Sequence, residues 1–240
     1  PLLIRMLGLE LYGVWVVLLS VVSVILIAQL GLDTALTQLL AAAYAQHDVD
    51  DMGHIEGTSL VLISVSGAAV AIVFSLSASF LLSKLFPAYA GDASLLTTVR
   101  LFALALLPRF WQQWAMASEA GLLRYDWQAR IEGAGYFLLS VGVVSLAWAG
   151  QSLQVLAVWY LVATIATLLL HLLFLKQAWQ RLSVKPTYSP VSVGSVRDAL
   201  AQGAADQRLE IRGLAEADGL GLAEGVEDVF IRGEAQCAQE

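Results

Sequence analysis

Charge is scarce in this chain, and cysteine is almost missing. Of its 240 residues 14% are charged, and the single cysteine is Cys237. One thiol forms no internal disulfide and no cysteine-based metal site. Histidine is nearly as rare, and His47, His54 and His171 stand at no metal-ligand spacing, so no metal is expected. Glycine-rich pieces such as GLGLAEG follow no strand-like run and match neither a phosphate loop nor a dinucleotide fingerprint. With no Ser/His/Asp or Cys/His arrangement and no basic stripe, the expectation is no cofactor, no enzymatic step on a substrate and no nucleic-acid partner.

What is abundant is apolar sequence. Hydrophobic residues make up 58% of the chain, and the mean hydropathy is +0.73, values that belong to a polytopic membrane protein. The net charge of −7 arises mostly near the end. Residues 1–186 hold 9 Lys/Arg against 10 Asp/Glu, and residues 187–240 hold 4 against 10. Leu11 to Gln46 carries one charge, Asp33. As a straight helix this run would reach about 54 Å, beyond a hydrocarbon slab of about 30 Å. It must tilt, project or break, and Gln29-Leu30-Gly31-Leu32-Asp33 offers a place to break, with span and extension meeting at Gly31-Leu32-Asp33.

The expected fold is all-α, a membrane helix bundle of five full spans plus the end of an earlier one, occupying residues 1–185. Pro1 to Glu10 reads as a helix end followed by a short polar turn around Gly8. No signal peptide opens the chain, which reads as a fragment. The spans fall at about 11–45, 57–86, 95–123, 131–149 and 153–179. A hydrophilic loop with four acids, Gln46 to Glu56, separates the first two, and a charged connection, Arg124 to Arg130, separates the third and fourth. The second span is rich in Ser, Gly and Ala, which lets membrane helices approach closely. Residues 186–240 read as a polar, acidic, weakly ordered tail of thin hydrophobic pattern.

Alternating spans put Arg5, Lys84 and Arg100 on one side and Arg124, Arg130, Lys176, Arg181 and Lys185 on the other, so the second side is expected to be cytoplasmic. Most of the seven tryptophans fall near span ends, as amphipathic rings do at headgroup level. Trp111 and Trp114 lie mid-span beside Arg109 and point to a protein-lined interior.

Three stretches resemble the polysaccharide flippases of the MATE-like superfamily, the Wzx-type carriers. LGLELYGVWVVLLSV looks like that family's periplasmic turn and second helix. QLGLDTALTQLLAAAYA is similar to its Asp-Leu-Gly-Leu-type element, with Gln29 where an acid is frequent. GLLRYDWQARIEGAGYFLLSVGVV resembles the segment joining its fourth and fifth helices. The resemblance covers roughly residues 1 to 205 and implies a first lobe whose C-terminal partner lobe is missing. It also implies a multi-pass protein of the bacterial inner membrane that moves a polyprenyl pyrophosphate-linked oligosaccharide between leaflets, with membrane lipid around it. In that family SPVSVGSVRDALAQGAA would lead into a seventh helix. None follows here, so a truncated or frame-shifted reading after about Ala205 is an expectation that sequencing the source gene would check.

Arg109 is the sharpest candidate, because an intramembrane arginine is costly unless paired or facing water. Gln112, Gln113, Met116 and Glu119 follow it at helical spacing. If the resemblance holds, Arg109, Gln112, Gln113 and Asp33 line the substrate cavity, where a guanidinium suits a pyrophosphate. The competing reading pairs Arg109 with Glu119 or Asp33 in a structural role. Asp33 is either an intramembrane site for a cation or proton, or an interfacial residue capping a second helical piece. Glu119, Arg124 and Asp126 are gating or interfacial candidates. Rival functions are a multidrug exporter of cationic compounds in the same superfamily, a membrane-embedded glycan ligase or polymerase, and a structural membrane subunit.

Overall fold

A computed structural model describes residues 2–27, 30–87 and 91–187. Seven helices account for nearly all of them: α1 (Leu2–Leu7), α2 (Leu9–Ile27), α3 (Leu30–Gln46), α4 (Val49–Leu85), α5 (Ala93–Gly121), α6 (Tyr125–Trp148) and α7 (Leu153–Leu182). Five of these, α2 and α4 to α7, are long and apolar enough to cross a membrane. The protein is therefore an all-α, multi-pass membrane bundle. Leu76, Phe80, Phe137, Leu169 and Leu173 lie exposed on its outside, where only lipid would accept such a surface.

The helices begin and end for local reasons. Asp48 caps α4 by accepting from the Asp51 amide at 3.0 Å, and Asp92 caps α5 through the amides of Ser94 and Leu95, which satisfies donors the first turn leaves open. Within the apolar runs, hydroxyls bond back to their own helix, as Ser20 does to the Val16 carbonyl and Ser64 to the Leu60 carbonyl. These two hydroxyls are satisfied within their own helix and need no partner from the surroundings. On one side of the bundle the turns use glycine at positive φ, Gly8, Gly91 and Gly150; on the other side His47, Leu123 and Ser183 adopt the same left-handed conformation.

The long apolar run Leu11 to Gln46 is two helices, α2 and α3, with residues 28 and 29 outside the described set. Gly31, Leu32 and Asp33 all lie within α3, and Gln29, the first residue of the expected place to break, lies outside the described residues. Trp15 of α2 packs edge-on against Phe102 of α5, and Thr37 of α3 donates to the Ala117 carbonyl of the same helix at 3.2 Å. The two contacts are 22 residues apart on the α2–α3 side and 15 apart on α5.

Three further boundaries differ from the sequence reading. The expected hydrophilic loop before the second span is mostly helix, because Asp48 starts α4 eight residues before Glu56. The charged connection Arg124 to Arg130 is likewise the opening of α6, with Asp126 in its first turn. The polar turn after α1 shrinks to Gly8, whose φ of +79° lets α2 start at Leu9. Of the tail, Pro186 and Thr187 belong to the described residues and 188–240 lie outside them.

Helix α5 is the centre. It packs most extensively against α7, α4 and α3, and Phe102, Leu106, Phe110 and Trp114 are among the most deeply buried side chains. The small residues of α4 serve this contact. Trp114 donates its indole N–H to Ser59 at 3.1 Å, Trp111 donates to Ser64 at 2.9 Å, and Phe110 lies where a Cβ on Gly67 would fall. Both mid-span tryptophans are thus turned to protein, each with the partner an indole needs in an apolar setting.

Candidate functional site

Helix α5 contains Pro108, which has no amide hydrogen to give the Leu104 carbonyl one turn earlier. Arg109 follows directly. It lines a cavity of about 270 Å3 together with Gln112 of the same helix, Ser23 of α2, Glu132 and Tyr136 of α6, and Tyr160, Thr164 and Thr167 of α7. Arg109 Nη1 donates to Gln112 Oε1 at 3.0 Å, while its Nε is buried without a partner among the described residues. The guanidinium is therefore fixed on one edge, and its Nε remains available to an acceptor.

Neither expected structural partner holds Arg109. Glu119 is bound to His171 of α7, with Oε1 and Nδ1 2.8 Å apart and both side chains at 0% exposure. Asp33 is half-buried on α3, away from the cavity lining, and its Oδ1 has no partner among the described residues. As an acid in the first turn of α3, it sits where a helix N-terminus favours negative charge. Gln113 is half-buried beside Gln112 in sequence but lines no part of the cavity, since one residue turns the helix by about 100°. Arg124 and Asp126 are exposed where α6 begins. Glu119, a gating or interfacial candidate by sequence, is fully buried against His171 of α7.

The polar face of α7, from which Tyr160, Thr164 and Thr167 line the cavity and His171 lies one turn beyond them, was not singled out in the sequence. Tyr160, Thr164, Thr167 and His171 follow one another at intervals of four, three and four residues, which places them on one face of α7. All four are buried. That spacing was the available signal, and the threonines hid it by looking scattered in an apolar run. Glu132, near the start of the expected span at 131–149, also lines the cavity. Tyr160 stacks on Phe102 with centroids 4.9 Å apart and meets Trp15 edge-on, so its ring is held from two sides.

A second buried polar group joins α4, α5 and α7. Glu56 is at 0% exposure; its Oε2 accepts from Ser118 Oγ at 2.9 Å and its Oε1 from Trp179 Nε1 at 3.4 Å. Ser118 and Glu119 are adjacent, one turned to α4 and the other to α7. Among the described residues no group of three or more His, Cys, Asp or Glu side chains could hold a metal ion.

The arrangement is a polar cavity between spans. A cation, an acid, an amide, two phenols and several hydroxyls surround a space large enough for a small polar group, in a part of the molecule where unsatisfied polar atoms are costly. Comparison with protein-family models, with curated proteins and with solved structures finds no match to this chain.

Proposed function

We propose that this chain is the first lobe of a flippase-type carrier, which moves a polyprenyl pyrophosphate-linked oligosaccharide across the bacterial inner membrane for surface polysaccharide synthesis. The cargo crosses unchanged, its polar head in a cavity and its tail in lipid. A second lobe would supply the facing wall. One observation carries the reading: Arg109 lies within a membrane-crossing helix, lines a polar cavity and is bound by no carboxylate among the described residues. An intramembrane arginine so placed suits an anionic ligand, and a guanidinium offers diphosphate oxygens a forked set of donors. The cationic end of the bundle, with Arg124, Arg130, Lys176, Arg181 and Lys185, is assigned to the cytoplasm.

Glu132 in the same cavity favours a second reading, export of organic cations. Calorimetric titration of the chain in lipid nanodiscs separates the two. A short-chain polyprenyl pyrophosphate should bind saturably and lose at least about tenfold in affinity in Arg109→Ala, matching the roughly 1.5–3 kcal/mol of a hydrogen bond to a charged group. Binding of tetraphenylphosphonium instead, abolished by Glu132→Gln, would favour the exporter.

A further inference from the structure

The buried Glu119–His171 pair belongs to neither the cavity lining nor the lipid face. It lies one helical turn beyond Thr167 on α7 and two turns beyond Gln112 on α5, at the inner end of the seam where the polar faces of the two helices meet. Two heteroatoms there, Glu119 Oε2 and His171 Nε2, are buried without a hydrogen-bond partner among the described residues. A purely structural ion pair would be expected to satisfy them.

We propose that Glu119 and His171 form a proton-binding site between α5 and α7. The argument is one of charge. With the pair closed off from water, two arrangements are neutral, carboxylate with imidazolium and carboxylic acid with imidazole, and they interconvert by moving one proton along the 2.8 Å hydrogen bond. Adding a proton leaves a net positive charge and removing one leaves a net negative charge, each expensive where it is buried. A change of proton count therefore accompanies a change in exposure or in nearby charge. The site suits a proton better than a metal cation, since one carboxylate and one imidazole do not supply the oxygen ligands that alkali or alkaline-earth ions require.

The other ionisable groups around this seam come from every neighbouring helix. Helix α4 brings Glu56, which reaches α5 through Ser118 and α7 through Trp179. Helix α6 brings Glu132 and Tyr136 to the cavity, α5 brings Arg109 and α7 brings Tyr160. Helix α3 carries Asp33, whose carbonyl accepts from Thr37, the residue that also reaches α5. Helix α2 adds Ser23 and no charge to the lining. Only Glu119 is ion-paired with His171 among the described residues.

The test is nitrogen NMR of ring-labelled histidine in the full chain, reconstituted in nanodiscs and titrated over about pH 5 to 8, the range where histidine charge changes. The His171 ring signals should move with pH, and Glu119→Gln should displace that titration by about tenfold or more in proton concentration. Glu132→Gln should displace it by less. His47 and His54 serve as internal controls for folding. If Glu119→Gln disturbs their signals, Glu119→Asp keeps the charge and should retain the titration. His171 signals that stay constant over the range, or a titration that Glu119→Gln leaves in place, would overturn the proposal.

Discussion

Ser118 Oγ donates to Glu56 Oε2 across 2.9 Å, joining two helices at a carboxylate with no solvent exposure. Trp179 closes the other oxygen from α7, so one side chain ties three spans together. Glu56→Ala strands both donors, and an unsatisfied buried group costs about 1–3 kcal/mol. Glu56→Gln, which keeps an acceptor of the same size, should cost less. Denaturant unfolding of the two variants in detergent, read by tryptophan fluorescence, checks the order.

After α7 the chain crosses α4 at Gly53 and Gly57. The Thr187 amide donates to the Gly53 carbonyl at 2.8 Å, and a Cβ on Gly53 would collide with the Lys185 carbonyl oxygen. Gly53→Ala should therefore push residues 185–187 off α4 and destabilise by roughly 1–3 kcal/mol, the usual cost of overpacking. Limited trypsin digestion should then cut faster after Arg181 in the variant, while cleavage elsewhere keeps its rate.

Leu123 holds a φ of 57° as the residue that ends α5. The Arg124 amide bonds the Glu119 carbonyl and the Leu123 amide bonds the Ala120 carbonyl, each at 2.9 Å, a pattern that glycine normally serves. The left-handed conformation costs an L-residue about 1–2 kcal/mol, and the leucine side chain is 64% exposed, so little packing offsets it. Leu123→Gly should raise the unfolding midpoint, a result that thermal denaturation in detergent would register directly.

The cavity should be wet and the outer faces dry. With Cys237→Ser as background, Thr164→Cys and Thr167→Cys should react with a small water-soluble thiol reagent faster than Leu169→Cys, which faces outward from the same helix. Mass spectrometry over a time course measures the ratio, and equal rates at all three positions would count against a hydrated chamber.

Much of the fold was legible because membrane spans announce themselves by length and apolarity alone. Helix ends were less so. Asp48, Asp50, Asp51 and Glu56 looked like a loop because charge density marks loops in water, yet a capping aspartate and a project-beyond-the-membrane helix produce the same pattern. The site was half legible. Arg109 and Gln112 stood out as polar residues in an apolar run, whereas Glu132, at the edge of the fourth span, gave no such signal. The pairing of Glu119 with His171 depends on how α5 and α7 are brought side by side, which no spacing within either helix encodes.

The central claim is that Arg109 serves transport of a diphosphate-linked glycan. Its most direct test is complementation of a flippase-deficient bacterial strain by the full-length gene, with membrane abundance matched between variants and surface polysaccharide as the readout. The account predicts rescue by the wild-type gene and loss of most of it with Arg109→Ala. Failure of the wild-type gene to rescue, or full rescue by Arg109→Ala, would contradict it.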